Sequence, residues 1–288
     1  MTEVTSGNDV IADDPLDYQL ADHLENRLTD LRGILTGLGN VVVAFSGGAD
    51  SAFLVKVATE VLGPERTLCV TAVSPSLAPE ELLDVRDLAT EWSLRHVEVE
   101  TTEMEDAAYR ANDSNRCAHC KEALIDALAP LAHQEHASML LGVNVDDLGD
   151  HRPGQQVAQR QGARFPLVEA GFTKDDVRRA SRIMGLRTWD KPAGACLASR
   201  VPYGTPVTVP TLRSVAIAES GLRKLGFRQL RVRHYGDLAR IELGAEEIAH
   251  AVIRRDEIVA AVRAGGYRYV TLDLEGFRSG NLNAALEP

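Results

Sequence analysis

Several things are scarce in this chain, and each scarcity closes off a class of protein. Only four of the 288 residues are cysteines, Cys69, Cys117, Cys120 and Cys196, too few and too unevenly spaced for an extracellular disulfide framework. No apolar run reaches the roughly 20 residues that a membrane-spanning helix needs. The opening stretch, MTEVTSGNDVIADDP, has neither the basic start nor the apolar core of a secretion signal, so residues 1–15 read as a loose tail on a cytoplasmic protein. Basic residues number 31 against 42 acidic ones, and the net charge of −11 disfavours nonspecific binding to an anionic nucleic-acid backbone. An aromatic and basic platform for RNA, an internal repeat and a low-complexity tract are all missing. What remains is an ordinary globular composition, 44% hydrophobic and 25% charged, at a length that suggests about two domains.

The hydrophobic pattern supplies the fold class. Leucines at 20, 24, 28, 31, 35 and 38 recur at helical spacing and predict an amphipathic helix over 16–38, stopped by Gly39 and Asn40. Val41 to Phe45 is a continuous apolar strand of the kind buried on both faces of a parallel sheet, and 52–62 reads as the helix after it. The alternation continues with strands at 67–73, 96–99 and 138–142 and helices at 79–92 and 117–133, the signature of a parallel α/β sheet. Thr173 followed by Asp176 resembles a capping box and opens a helix through Met184. The segment KPAGACLASRVPYGTPVTVP is rich in glycine and proline, and we place the domain boundary there, giving a nucleotide-type domain over 16–204 and a smaller α+β domain over 205–288. In the latter, helices are expected at 211–225 and 245–264, and strands at 229–234, 238–243 and 267–274.

The first candidate site is the turn in NVVVAFSGGADSAFLVKVA. A strand feeding a helix through Gly47 and Gly48 presents unpaired N–H groups at a positive helix end, a seat for phosphate. Ser46 and Ser51 add hydroxyls, and Asp50 suits a magnesium ion bridging phosphate oxygens. The spacing lacks the lysine of a P-loop kinase, which favours pyrophosphate as leaving group. A plain tight turn would use the same residue types. The stretch resembles the PP-loop of ATP pyrophosphatases, which adenylate an acyl or carbonyl oxygen. That resemblance implies a nucleotide-binding set of Ala44, Ser46, Gly47, Gly48, Asp50, Ser51 and, on the next strand, Ala72.

Longer stretches in fixed order, VTAVSPSLAPEEL, NRCAHCKEAL, LLGVNVDDLGDHRPG, PLVEAGFTKDDVRR, KPAGACLASRVPYGTPVT, RVRHYGDLARIEL and YVTLDLEGFRSGNLN, resemble the LarE family of ATP-dependent sulfur transferases across nearly the whole chain from about residue 16. The resemblance implies adenylation of pyridinium-3,5-biscarboxylic acid mononucleotide and its conversion to thiocarboxylates for the nickel-pincer nucleotide cofactor. Family members fall into two types. In one, a cysteine matching Cys196 gives up its own sulfur and is left as dehydroalanine. In the other, three cysteines, here Cys117, Cys120 and Cys196, hold a four-iron four-sulfur cluster whose open iron carries hydrosulfide. Symmetric homo-oligomers are implied as well.

The residues by themselves leave alternatives open. C-x-x-C with His119 and Cys196 also fits zinc, or a redox dithiol. Cys69 sits mid-strand as a small hydrophobe. Arg116, Lys121 and Arg200 are expected to favour thiolate, and Ser199 is a candidate catalytic partner three residues after Cys196. Asn144, Asp146, Asp147 and Asp150 follow a strand at the ligand-binding edge of the sheet, with Arg152 as a phosphate contact; a solvated acidic loop is the plainer reading. Arg231 and Arg233 project from one face of a strand, and two guanidinium forks suit a phosphate monoester, a role that the family resemblance also implies for RVR. A PP-loop tRNA thiolase, an ammonia-using amide ligase and a nucleotide-binding regulator are the rival functions.

Overall fold

The computed structural model describes residues 15–148, 153–192 and 194–278. The amino-terminal half runs α1 (Pro15–Leu38), β1 (Val41–Ala44), α2 (Ala49–Leu62), β2 (Thr67–Val73), α3 (Pro79–Glu91), β3 (His96–Glu100), α4 (Ala107–Ala111), α5 (Arg116–Gln134) and β4 (Ser138–Leu140). It continues through α6 (Pro153–Arg160), α7 (Pro166–Glu169) and α8 (Lys174–Ile183). After a long connection come α9 (Val209–Lys224), β5 (Leu230–Tyr235), β6 (Leu238–Leu243), α10 (Ile248–Ile253), α11 (Arg255–Arg263) and β7 (Tyr269–Leu272).

Among the described residues the strands form two sheets. The first has the order β3-β2-β1-β4, every pair parallel, so the earliest strand lies inside and its carboxyl end faces the ligand edge. Val41, Val42 and Val43 are buried, as expected of a strand covered on both sides. Helix α2 carries buried residues round its circumference, Ala52, Phe53, Val55 and Val57 among them, and is the central helix of the largest core cluster. Leu28, Leu31 and Leu35 of α1 and Val177 of α8 join that cluster. The second sheet, β5-β6-β7, packs one face on α9 and α11 through Leu222, Val232, Ile241 and Val262.

A third cluster joins the halves. Ala78 and Tyr109 from the first contact Leu197, Val201, Val207 and Leu212 from the connection and α9. Burial of each large aliphatic side chain there contributes about 1.5–3 kcal/mol, so the linker is itself core-forming.

Several boundaries differ from the sequence pattern. Helix α2 begins at Ala49, not Ala52, which puts Asp50 and Ser51 in its first turn. The fourth strand ends at Leu140 because the next N–H, that of Leu141, turns to the carbonyl of Arg164. The expected helix over 245–264 is a short turn followed by α10 and α11, broken at Arg254, whose side chain reaches back to the Leu225 carbonyl at 2.6 Å. The strand expected over 267–274 spans only β7, and α4, α6 and α7 had no sequence expectation. The capping box is present: Thr173 accepts from the Asp176 N–H while the Asp176 carboxylate accepts from Thr173 N–H.

One close approach locks the ligand edge. A Cβ on Gly142, just after β4, would stand 2.8 Å from the Ser51 nitrogen and 2.9 Å from the Asp50 carbonyl carbon. Gly142→Ala is therefore expected to push β4 and α2 apart and to destabilise the protein by roughly 1–3 kcal/mol, read as a lowered midpoint in urea. An unchanged midpoint would show that the contact is soft.

Candidate active site

The glycine turn lies between β1 and α2. Gly47 has φ +69°, open to glycine, and a Cβ there would meet Val85 Cγ2 at 2.7 Å. Gly48 is the N-cap of α2 in extended conformation, with no side chain capping the helix, so the first-turn N–H groups and the helix dipole face the turn. Ser46 Oγ and Ser51 Oγ are 3.1 Å apart, and Ser51 Oγ donates to the Gly48 carbonyl. Ala44 ends β1, and Ala72 lies near the end of neighbouring β2. These residues lie along the carboxyl ends of the parallel strands β1 and β2 and the start of α2.

Asp50 points from the first turn of α2 toward the loop after β4. Its Oδ1 accepts from Asn144 Nδ2 at 2.9 Å. Burial raises its pKa above the usual carboxylate value, and nearby Asp147 adds to the rise against the hydrogen bond from Asn144 and the charge of Lys174. A group held in this way gains from a cation. The acidic segment of the sequence divides: Asn144 and Asp147 are buried beside Asp50, with Lys174 Nζ 3.1 Å from Asp147, whereas Asp146 is exposed and accepts from the Lys174 N–H as a cap of α8. Among the described residues of the segment, the solvated-loop expectation therefore fits Asp146 alone. Asp150 and Arg152 lie outside the described residues.

The thiols come from two elements. Cys117 and Cys120 sit on the first turns of α5, Cys117 exposed and Cys120 half-buried. Cys196, half-buried, precedes the turn at 197–200. Cys120 and Cys196 pack against the same joint cluster as Tyr109 and Leu197. Burial pushes the Cys120 thiol up to about 12, and the neighbouring Cys196, Glu103 and Cys117 add to that rise, so Cys120 is a neutral thiol near pH 7. Cys69 is likewise pushed to about 12 by burial in β2 and is inert. Among the described residues no three Asp, Glu, His or Cys side chains already stand as a metal-ligand group; the three thiols are neighbours that would have to draw together to share one.

The Cys196 segment is held by its backbone. Leu197 N–H donates to the Ser76 carbonyl at 2.8 Å, and Ser76 Oγ bonds the buried Tyr109 hydroxyl at 2.6 Å. Ser76 lies in the loop after β2, so this bond ties the cysteine segment to the edge that carries the glycine turn. From the other side, Arg200 Nη1 donates to the carbonyls of Ala195 and Cys196 at 2.7 and 3.0 Å and to Ser199 Oγ at 2.9 Å. Ser199 Oγ in turn donates to the Cys196 carbonyl at 2.7 Å, a brace on the main chain. Arg116 Nη1 donates to the Ala198 carbonyl at 2.9 Å; burial opposes its charge, but Cys196 and Cys117 outweigh that and raise its pKa.

Arg200 itself is anchored by Glu219 of α9 through two bonds of 2.8 and 3.0 Å, with side chains only 3% and 0% exposed. Glu219 also accepts from Arg223 and from the Val232 N–H of β5. Of the basic pair of β5, Arg233 is buried and Arg231 half-buried. Arg233 bonds Glu242 at 2.8 Å and donates to the Ser199 carbonyl at 2.8 Å. Arg231 donates to the Leu230 carbonyl and lies over the Phe277 ring; burial, then the charge of Arg200, pushes its pKa down to about 10. A guanidinium shifted in that direction gains from an arriving anion. Glu219 was legible in sequence as an acid inside the apolar stripe Leu212, Val215, Glu219, Leu222, a pattern that calls for a buried cation. Glu242 and Ser76 left no such signal.

The profile of the NAD synthase family matches residues 21–129, which hold the glycine turn and stop short of Cys196. An uncharacterized protein of Synechocystis sp. is 47% identical over 91% of this chain and 99% of its own length. The pyridinium-3,5-bisthiocarboxylic acid mononucleotide synthase of Lactiplantibacillus plantarum is 36% identical over 91% of this chain and 96% of its own. An uncharacterized protein of Methanocaldococcus jannaschii is 23% identical over 83% of this chain and 91% of its own.

Glu219→Ala leaves Arg200 as an unpaired buried charge and is expected to cost about 3–5 kcal/mol, measured by denaturant unfolding. Burial opposes the Glu219 carboxylate, but Arg200 foremost holds its pKa below the ordinary 4.5. The stability this confers is present above that value and is lost as pH falls through the lower folded pKa. Stability of the wild type should thus decline more steeply with acid than that of Glu219→Gln; parallel profiles would contradict the role.

Proposed function

The chain belongs to the LarE family of PP-loop enzymes, and from that membership we propose that it is the ATP-dependent sulfur transferase that turns pyridinium-3,5-biscarboxylic acid mononucleotide into its bisthiocarboxylic form. The observation that carries the reading is the tether of Leu197 to Ser76, which holds a cysteine segment against the edge where nucleotide would sit. An adenylating turn and a nucleophilic sulfur on one edge are what carboxylate thiolation requires. The match to NAD synthase ends before Cys196, in keeping with a shared first half-reaction and a different second one.

In the first step ATP occupies the turn from Ser46 to Ser51, its phosphates on the N–H groups at the start of α2, with Ala44 and Ala72 beside the nucleoside. A substrate carboxylate oxygen attacks the α-phosphorus and pyrophosphate leaves, which converts the carboxylate into an acyl adenylate with AMP as leaving group. Asp50, beside Asn144 and Asp147, would hold the magnesium ion, which neutralises phosphate charge. Arg231, with Arg233 behind it, would take the substrate's phosphate, since a crowded and buried guanidinium cluster is relieved by an anion.

In the second step the Cys196 sulfur attacks the activated carbonyl carbon. The thiol proton is released, the bond to AMP breaks and a thioester forms. Loss of the Cys196 α-proton with cleavage of its Cβ–S bond then yields the thiocarboxylate and leaves dehydroalanine. Cys117, Cys120 and Cys196 are the residues that would hold a four-iron four-sulfur cluster; such a group would supply a renewable sulfide and would displace the proton that burial now keeps on Cys120. Division of labour between residues 16–204 and 205–288, a homo-oligomeric state and a cytoplasmic location complete the proposal; no described helix is long and apolar enough to cross a membrane.

Cys196→Ala is expected to release pyrophosphate and AMP from ATP and the dicarboxylate while forming no thiocarboxylate. Full sulfur transfer by that variant would refute the assignment. Anaerobically purified wild type, assayed for iron and acid-labile sulfide and weighed intact before and after turnover, separates the two sulfur sources. Iron that is lost in Cys117→Ser supports the cluster, and a mass loss of one hydrogen sulfide per chain supports the sacrificial route.

A further inference from the structure

The glycine turn contains no lysine, yet the fold delivers one to it. Lys191, five positions before Cys196, has its Nζ 3.8 Å from the point where a Cβ on Gly47 would lie. The side chain is 18% exposed, and its ammonium is shared by two carboxylates of α3, Asp84 at 2.6 Å and Glu81 at 2.8 Å. Burial opposes that charge, but the hydrogen bonds that the ammonium donates to Asp84 and Glu81 outweigh it and hold the pKa above the ordinary lysine value. The group is therefore a permanent cation at neutral pH, beside the turn rather than in it.

Its partners are arranged to let it go. Asp84 has a second cation, Arg187, at 2.6 Å, which also bonds Glu91 at 2.9 Å, so departure of Lys191 leaves no orphaned charge at Asp84. Glu81 is about one-third exposed and lies alongside Gly194, where water can take over its solvation. An ammonium on a flexible stem is a compact phosphate ligand, and a polyphosphate at the adjacent turn offers more negative charge than the two carboxylates it would replace.

Resting on the reading that the turn seats a triphosphate, we propose that Lys191 is the cation that grips the β and γ phosphates, parked on Glu81 and Asp84 until they arrive. The lysine missing from the motif is thereby supplied from the segment that carries the sulfur-bearing cysteine. Lys191 is a binding residue for pyrophosphate as a leaving group, acting alongside the backbone N–H groups of the turn.

Calorimetric titration of the full chain with magnesium ATP, with pyrophosphate and with AMP tests this. Lys191→Met should weaken pyrophosphate and ATP by about tenfold or more and AMP by less than about twofold, because AMP lacks the outer phosphates. Glu81→Gln, which removes one of the two carboxylates that hold the ammonium, should bind pyrophosphate several-fold more tightly, an opposite sign that keeps the test decisive even if Lys191→Met does not fold. Wild-type affinity for pyrophosphate in Lys191→Met, equal loss of AMP and ATP, or no gain in Glu81→Gln would overturn the proposal. The wild-type ATP titration checks the parent reading on its own: binding there with a negative result for the variants sinks only the role of Lys191.

Discussion

Arg200 sits where the two halves of the chain meet, and its guanidinium is divided between them. One edge is fixed to Glu219 of α9, and the remaining nitrogen holds the successive carbonyls of Ala195 and Cys196. Two charges this deeply buried contribute little net stability compared with apolar residues of the same size, because desolvation offsets their attraction. Geometry is what they fix. The carboxylate cannot accept from Arg200, Arg223 and the Val232 N–H at once unless α9 and β5 lie in one particular relation. That relation in turn sets where Arg200 aims and hence where Cys196 stands. Arg233 repeats the device one strand position away, through Glu242 and the Ser199 carbonyl.

Charge is distributed with a corresponding logic. The chain is acidic as a whole, yet its site is a sequence of local positive potentials: the amino end of α2, the guanidinium cluster around Arg231, and Lys191 by the turn. Such islands attract phosphate-bearing small molecules without creating the extended basic surface that would bind nucleic acid. Asp50 and Asp147 stand at the turn, whereas Glu219, Glu242, Glu81 and Asp84 stand one layer back, where each holds a cation in place.

Local pattern made much of the fold readable. The β1 strand, the glycine turn, the capping box of α8 and the hairpin around Tyr235 and Leu238 depend on neighbours within a few residues, and each is where the sequence pattern puts it. The start of α2 was hidden because Ala49, Asp50 and Ser51 are residues that turns use as freely as first helical turns. Helices α4, α6 and α7 are too short to establish a period. Period two predicts that Arg231 and Arg233 share a face, but the burial of Arg233 depends on Glu242 across the sheet and Ser199 from a distant loop, information that no local pattern carries. Lys191 was beyond reach for the same reason: its relation to Gly47 exists only once α3 packs against both.

The braces on the cysteine segment grip main-chain oxygens of residues 195, 196, 198 and 199 and the N–H of Leu197; the sulfur of Cys196 belongs to none of them. A chain that surrendered that atom would therefore keep every one of those hydrogen bonds. It would survive as an intact, inert look-alike, still able to occupy nucleotide and diacid, and a cell relying on single-use copies would face a growing pool of decoys that only turnover of the polypeptide itself can drain.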